Sequence, residues 1–129
     1  MKKGMFITIL VTMLMLLVAA CGGNKVDDAT AEKYITQAEE IVALLNEQHY
    51  EEIYAKFNDE MKADLPVEDM EELTPIIEES GNFKEMDKAS VEEEDGQYVT
   101  VLVGKYSNEN RVFTITFNND DEIAGLFIK

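Results

Sequence analysis

QYVTVLVGKYSNENRVFTITF, residues 97–117, decides the fold. Val99, Val101 and Val103 alternate with Thr100, Leu102 and Gly104; Val112, Thr114 and Thr116 alternate with Phe113, Ile115 and Phe117. A period of two in residues with branched or aromatic side chains specifies strands, because successive side chains of a strand point to opposite faces. Ser107-Asn108-Glu109-Asn110 supplies the turn that joins the two strands. Asp95-Gly96 is a hairpin signal before the first of them, so Lys84–Glu93 reads as a preceding strand with Ala89 and Val91 inward. Asn118–Glu122 turns the chain into a last strand, Ile123–Ile128. The C-terminal part is therefore a meander of four antiparallel strands with one face in need of cover.

The cover comes from upstream. Ile35, Ala38, Ile41, Val42 and Leu45 recur at helical spacing, with Glu32, Lys33, Gln37, Glu39 and Glu40 on the other side. This predicts an amphipathic helix of about 18 residues, with Asp28 or Thr30 as its N-cap. Tyr50, Ile53, Tyr54 and Phe57 repeat the pattern in a shorter helix whose aromatic face packs inward. Pro66 suits the first turn of a third helix carrying Val67, Met70, Leu73 and Ile77, which Gly81 ends. Pro75 removes a backbone donor inside that span and predicts a kink or restart there. Helices followed by an antiparallel sheet make an α+β chain, with N-terminal helices packed on a four-stranded sheet.

At the other end, Lys2 and Lys3 precede an apolar run from Met5 to Val18, closed by Ala19-Ala20-Cys21. A positive start, a short apolar core and small residues at a cleavage point are the marks of an export signal. The run offers about 14 residues where a bilayer core needs about 20, so it is too short to span. Leu17-Val18-Ala19-Ala20-Cys21 resembles the lipobox of bacterial lipoproteins, in which the cysteine is acylated and the peptide before it removed. Cys21 is the only cysteine of the chain, so it has no disulfide partner within it. The domain reading is a signal peptide over residues 1–20, a lipidated cysteine with its tether over 21–28, and one α+β domain over 29–129. The expected location is the extracytoplasmic face of the cell membrane, held by the acyl group. Gly22–Asp28 spans at most about 25 Å when fully extended, which keeps the domain close to the surface.

Charge narrows the partners. The chain holds 11 Lys and Arg against 27 Asp and Glu, and loss of Lys2 and Lys3 leaves 9 against 27, a net charge of −18. Nucleic acid requires clustered basic residues and is excluded. An anionic lipid surface repels such a domain and leaves the acyl group to hold it.

No residue set specifies chemistry. His49 is the only histidine and falls in a turn between helices, where a solvent-facing polar side chain explains it more simply than general-base work. One histidine and one lipidated cysteine cannot build a zinc site. Glu92-Glu93-Glu94-Asp95 and Asp120-Asp121-Glu122 are acidic enough for calcium, but consecutive strand residues diverge to opposite faces. No metal and no cofactor is expected.

Leu45-Asn46-Glu47-Gln48-His49-Tyr50-Glu51-Glu52-Ile53-Tyr54, then Phe57, Met61-Lys62 and Leu65, then Gly81-Asn82-Phe83-Lys84, and finally Phe113–Phe117 with Ile123-Ala124-Gly125-Leu126, resemble domain of unknown function 3887. That family occurs in lipoproteins and other exported proteins, mainly of Gram-positive bacteria. The resemblance implies a nuclear transport factor 2-like cone and carries no established activity with it. Cones of this kind elsewhere house isomerases and hydratases that work with a pocketed acid and a tyrosine. The residues that would line such a pocket are Tyr34, Tyr50, Tyr54, Phe113 and Phe117, although Tyr50 and Tyr54 also sit at core spacing. Three readings follow. One is a non-enzymatic domain that binds a partner protein or envelope component through its acidic surface or open sheet face. The second is a cone pocket that holds a small apolar ligand or transfers a proton. The third is a folding or stability module with no ligand of its own.

Overall fold

A computed structural model describes residues 24–129. The signal run and Cys21 lie outside the described residues. Helix α1 (Asp28–Asn46) is followed by four short helices, α2 (Tyr50–Tyr54), α3 (Asp59–Asp64), α4 (Val67–Met70) and α5 (Thr74–Ser80), with a 3-10 turn at Glu71–Leu73 between the last two. The sheet comprises β1 (Asn24–Lys25), β2 (Phe83–Glu94), β3 (Gln97–Tyr106), β4 (Asn110–Phe117) and β5 (Ile123–Ile128), in that spatial order and antiparallel throughout.

The sheet thus has five strands where the sequence predicts four. Asn24 and Lys25, read as tether, pair with Glu93 and Glu92 on the edge of β2. Two polar residues carry no alternation of their own, so the strand exists only because β2 offers them an edge. From there the chain crosses to α1, which Asp27 precedes in an extended conformation.

α1 runs along the inner face of β3. Tyr34, Ala38, Ile41, Val42 and Leu45 are buried, and they form one stripe of the helix. Opposite them stand Thr100, Leu102, Phe113, Ile115, Phe117 and Ile123. The register places Thr100, Leu102 and Gly104 inward, so Val99, Val101 and Val103 face out. Val91 is buried as expected, but Ala89 is exposed. Ala89 pairs with inward-facing Leu102 and so lies on the inner face, where none of the described residues buries it.

The third predicted helix is broken into pieces. Pro66 is the N-cap of α4, and α5 restarts at Thr74 with Pro75 in its first turn, where the missing N–H costs nothing. Gly81 closes α5 at φ +88, a conformation that side-chain-bearing residues rarely adopt. Helix α3 has no counterpart in the sequence reading. Its apolar content is small, and it is started by Asn58, whose side chain accepts from the Met61 N–H.

Candidate functional site

The five candidate pocket residues do not line a common cavity. The ring of Tyr34 stacks on Tyr98 at 4.4 Å and lies 5.3 Å from Phe117. Its hydroxyl donates to Asp121 at 2.9 Å, and Asp121 in turn pairs with Lys33 at 3.0 Å. Burial raises the Tyr34 pKa well above the ordinary tyrosine range, with the adjoining carboxylate adding to the effect. The Lys33 hydrogen bond, reinforced by that from Tyr34, lowers the pKa of Asp121 against a smaller opposing effect of burial. Asp121 reaches this position from a tight turn, where it takes φ +61.

Phe113 is fully buried and lies 6.4 Å from the Tyr106 ring. Tyr50 is buried with its hydroxyl 2.5 Å from Thr74 Oγ1, which ties α2 to α5. Tyr54 is half-buried, edge-on to Phe57 at 6.0 Å. All five act as packing, with the hydroxyls at the margin of the core. Among the described residues the buried polar side chains are Ser80 and Thr100; neither is an acid. Ser80 accepts from Arg111 Nε at 2.6 Å, while Thr100 Oγ1 has no hydrogen-bond partner.

His49 is exposed, 3.6 Å from Glu47 and 3.7 Å from Glu52. It borders a shallow, mostly polar depression with Gln48, Tyr50, Glu51, Glu52, Val67 and Glu71. Among the described residues no three His, Cys, Asp or Glu side chains converge as metal ligands.

The cavity with an apolar lining lies elsewhere. Val42, Ala43 and Asn46 of α1 face Phe83 and Met86 of β2 across a groove of about 500 Å³, with Glu39 and Glu47 at its rim. Residues 39, 42, 43, 46 and 47 fall on one side of α1 by helical spacing. On the opposite wall, register shifts between Phe83 and Glu85 and between Met86 and Lys88 break the alternation of β2. The bulges set Phe83 and Met86 on the inner face, opposite Tyr106 and Gly104. Phe83 packs edge-on against Tyr106 at 5.4 Å yet remains 41% exposed, so its outer ring face is open. Tyr106 is fixed in turn by donating to Asn46 at 2.5 Å, and burial raises its pKa although Asn46 and Arg111 oppose the shift.

Beside the groove, the edge of β2 from Phe83 to Val91 pairs with no strand among the described residues, because β1 covers only Glu92 and Glu93. Sequence reasoning missed this site. The available signal was two large apolar residues, Phe83 and Met86, within the charged run Lys84, Glu85, Asp87 and Lys88, at a spacing that fits no unbroken strand.

Residues 38–126 match the family model described as protein of unknown function (DUF3887). The fold is similar to that of an NMR structure of a protein from Ruminococcus gnavus ATCC 29149, with a TM-score of 0.64 and 21% sequence identity, over 81% of this chain and 96% of that one. No curated protein matches the chain. Among the described residues no helix is long and apolar enough to cross a membrane.

Proposed function

The chain belongs to the DUF3887 family of proteins of unknown function, and from that premise we propose that it is an exported lipoprotein, acylated at Cys21, whose domain binds an extended segment of another envelope protein without catalysing a reaction. The anchor rests on the sequence of residues 1–21, and replacement of Cys21 by Ala is expected to release the protein from membranes. Helices laid over one face of an antiparallel sheet are compatible with a nuclear transport factor 2-like cone. The side chains that would line its pocket are instead used to fill it.

One observation carries the binding reading: an apolar groove lies directly beside a free strand edge. A peptide added to the edge of β2 as a further strand makes main-chain hydrogen bonds and drops alternate side chains toward Phe83, Met86 and Val42. The rim carboxylates of Glu39 and Glu47 favour lysine or arginine in that peptide. The ligand class is therefore an extended segment of alternating apolar and basic residues.

The test uses a short peptide of alternating valine and lysine, titrated against the full chain in zwitterionic lipid nanodiscs, with empty discs as the blank. Binding is expected to weaken at least about tenfold in Phe83→Asp, which puts a charge where the apolar side chain must sit. It should weaken less in Glu39→Lys/Glu47→Lys, whose rim charges are solvated. Equal affinity for all three proteins would refute the groove as the site.

A second reading uses the same groove. Its volume lies in the range of small-molecule pockets, so a small apolar ligand is the alternative occupant. Native mass spectrometry of the protein from its own membranes separates the two. An added small mass beyond the acyl group at Cys21 favours this alternative.

A further inference from the structure

The sheet edge beside the groove already carries one short strand, and that strand shows how another would lie. β1 is antiparallel to β2, with Asn24 opposite Glu93 and Lys25 opposite Glu92. The chain then leaves the edge through Val26 and Asp27 to start α1. Past that departure the edge goes on, without a strand partner among the described residues, from Val91 to Phe83. That stretch is at most about 27 Å long at the rise of an antiparallel strand. Cys21 stands three residues before Asn24 in the sequence, so the two are no more than about 11 Å apart. With Cys21 acylated, Val91 is the membrane end of the open stretch and Phe83 its far end. Repulsion between the acidic domain and anionic lipid lifts the far end, because the tether holds only the β1 end.

We propose, resting on the reading of groove and edge as a peptide site, that the bound segment runs antiparallel to β2 in line with β1, and that it comes from a second protein held in the same membrane by its own N-terminal anchor. β1 sets the direction. Every pairing in the sheet is antiparallel, and antiparallel pairs are slightly the more stable per residue. A segment of that polarity has its N-terminal end at Val91, near the lipid, and its C-terminal end at Phe83. That is the course of a chain leaving the membrane after an N-terminal anchor, as this chain does through β1. A segment running into a C-terminal anchor would have to enter parallel to β2. The bound stretch begins about five residues after the partner's anchor, the number needed to reach Val91.

Side chains along the edge specify the segment further. Ala89 is exposed although it lies on the inner face, so a residue beside it gains cover by being apolar. Ser90 and Lys88 alternate with it and face outward. The charges of that outer side nearly balance, with Lys84, Lys88 and Lys105 against Glu85 and Asp87, and both carboxylates lie beside Lys105. At the membrane end the balance is different. Asp27, Asp28, Glu92 and Glu93 outnumber Lys25, so a basic residue belongs at the segment's N-terminal end, in the manner of Lys25 opposite Glu92. Glu39 and Glu47 favour another over the groove.

The test uses the full chain in zwitterionic nanodiscs. Its intact mass is measured first, since a Cys21 without an acyl group would remove the anchor and this proposal together. The probe is a valine and lysine peptide about nine residues long, enough to cover the open stretch, blocked at both ends so that terminal charges do not bias it. A benzophenone residue at its N-terminal position is expected to attach to Val26, Asp27 or Ser90, and at its C-terminal position to Phe83 or Met86, each at least about fivefold over the opposite pattern. The opposite pattern, or equal attachment at both ends, would overturn the direction and leave the groove as the site. No attachment along β2 from either position would overturn the groove as well. Peptide acylated at its N-terminus through a glycine and serine spacer of about 20 Å should bind at least about tenfold more tightly than free peptide, because its effective concentration rises. The same spacer and acyl chain at the C-terminus should give little gain, because it falls short of Phe83. No gain for the N-acylated form, or an equal gain for both, would overturn the shared-membrane partner.

Discussion

Helix α1 meets the same sheet face at both of its ends, and the two ends differ. At its start, Tyr34 is stacked on Tyr98 and packs at a tilt against Phe117, and its hydroxyl is held by Asp121 and through it by Lys33. At its end, Asn46 accepts from Tyr106, but Phe83 and Met86 beside them are left open under an acidic rim. One helix and one sheet thus build a shut end and an open end, the latter the binding site proposed above. The difference comes from β2: its bulges carry apolar side chains inward past the line that α1 can cover, whereas the register shift at the shut end, between Thr116 and Phe117 against β5, leaves Phe117 buried beside Tyr34.

The largest effect expected from breaking this contrast is at the shut end. Phe117→Ala removes a buried ring and should cost about 3–5 kcal/mol in denaturant unfolding. Tyr34→Phe keeps the stack and loses only the hydroxyl bond, so about 1 kcal/mol is expected. The Lys33–Asp121 contact, with that bond beside it, also predicts a pH dependence. Asp121 has a lowered pKa in the folded state, so its contribution is full above the ordinary aspartate value near 4 and is lost as the pH falls through the lowered folded value. Asp121→Asn should flatten the acid side of the stability profile, and an unchanged profile would place the acid sensitivity elsewhere.

Thr100→Val acts in the opposite direction. It replaces a buried hydroxyl without a partner by a methyl group of nearly the same shape, and should raise stability by about 1 kcal/mol. Phe83→Ala, at the open end, should change stability by less than about 0.5 kcal/mol because the ring is already partly in water, yet it should weaken peptide binding. A Phe83→Ala cost as large as that of Phe117→Ala would erase the distinction between the ends.

How far the fold could be read in advance follows the same line. The alternation of residues 99–117 identified β3 and β4, since period two survives in any strand whose ladder is unbroken. It did not say which face was inner; three valines point outward and Thr100 points in. Gly81 and Pro75 marked the end and the restart of helix because their constraints are local. Asn24–Lys25 and Asp59–Asp64 were missed because pairing with a distant edge and a single Asn58 cap leave almost no periodic trace. The groove at Phe83 and Met86 was not legible in the sequence for a related reason. Aromatic residues at core spacing can fill a pocket or line one, and only tertiary packing separates the two. Phe83 and Met86 were hidden by bulges, which sequence patterns do not display.

Amide hydrogen exchange of the full chain in nanodiscs, with and without the valine–lysine peptide, tests the account most directly. Peptide is expected to slow exchange at alternate amides between Phe83 and Val91, where the edge of β2 gains a strand, and to leave those of Tyr98 and Phe117 as slow as before. Protection confined to other parts of the acidic surface, or none along β2, would contradict the assignment of the open end as the binding site.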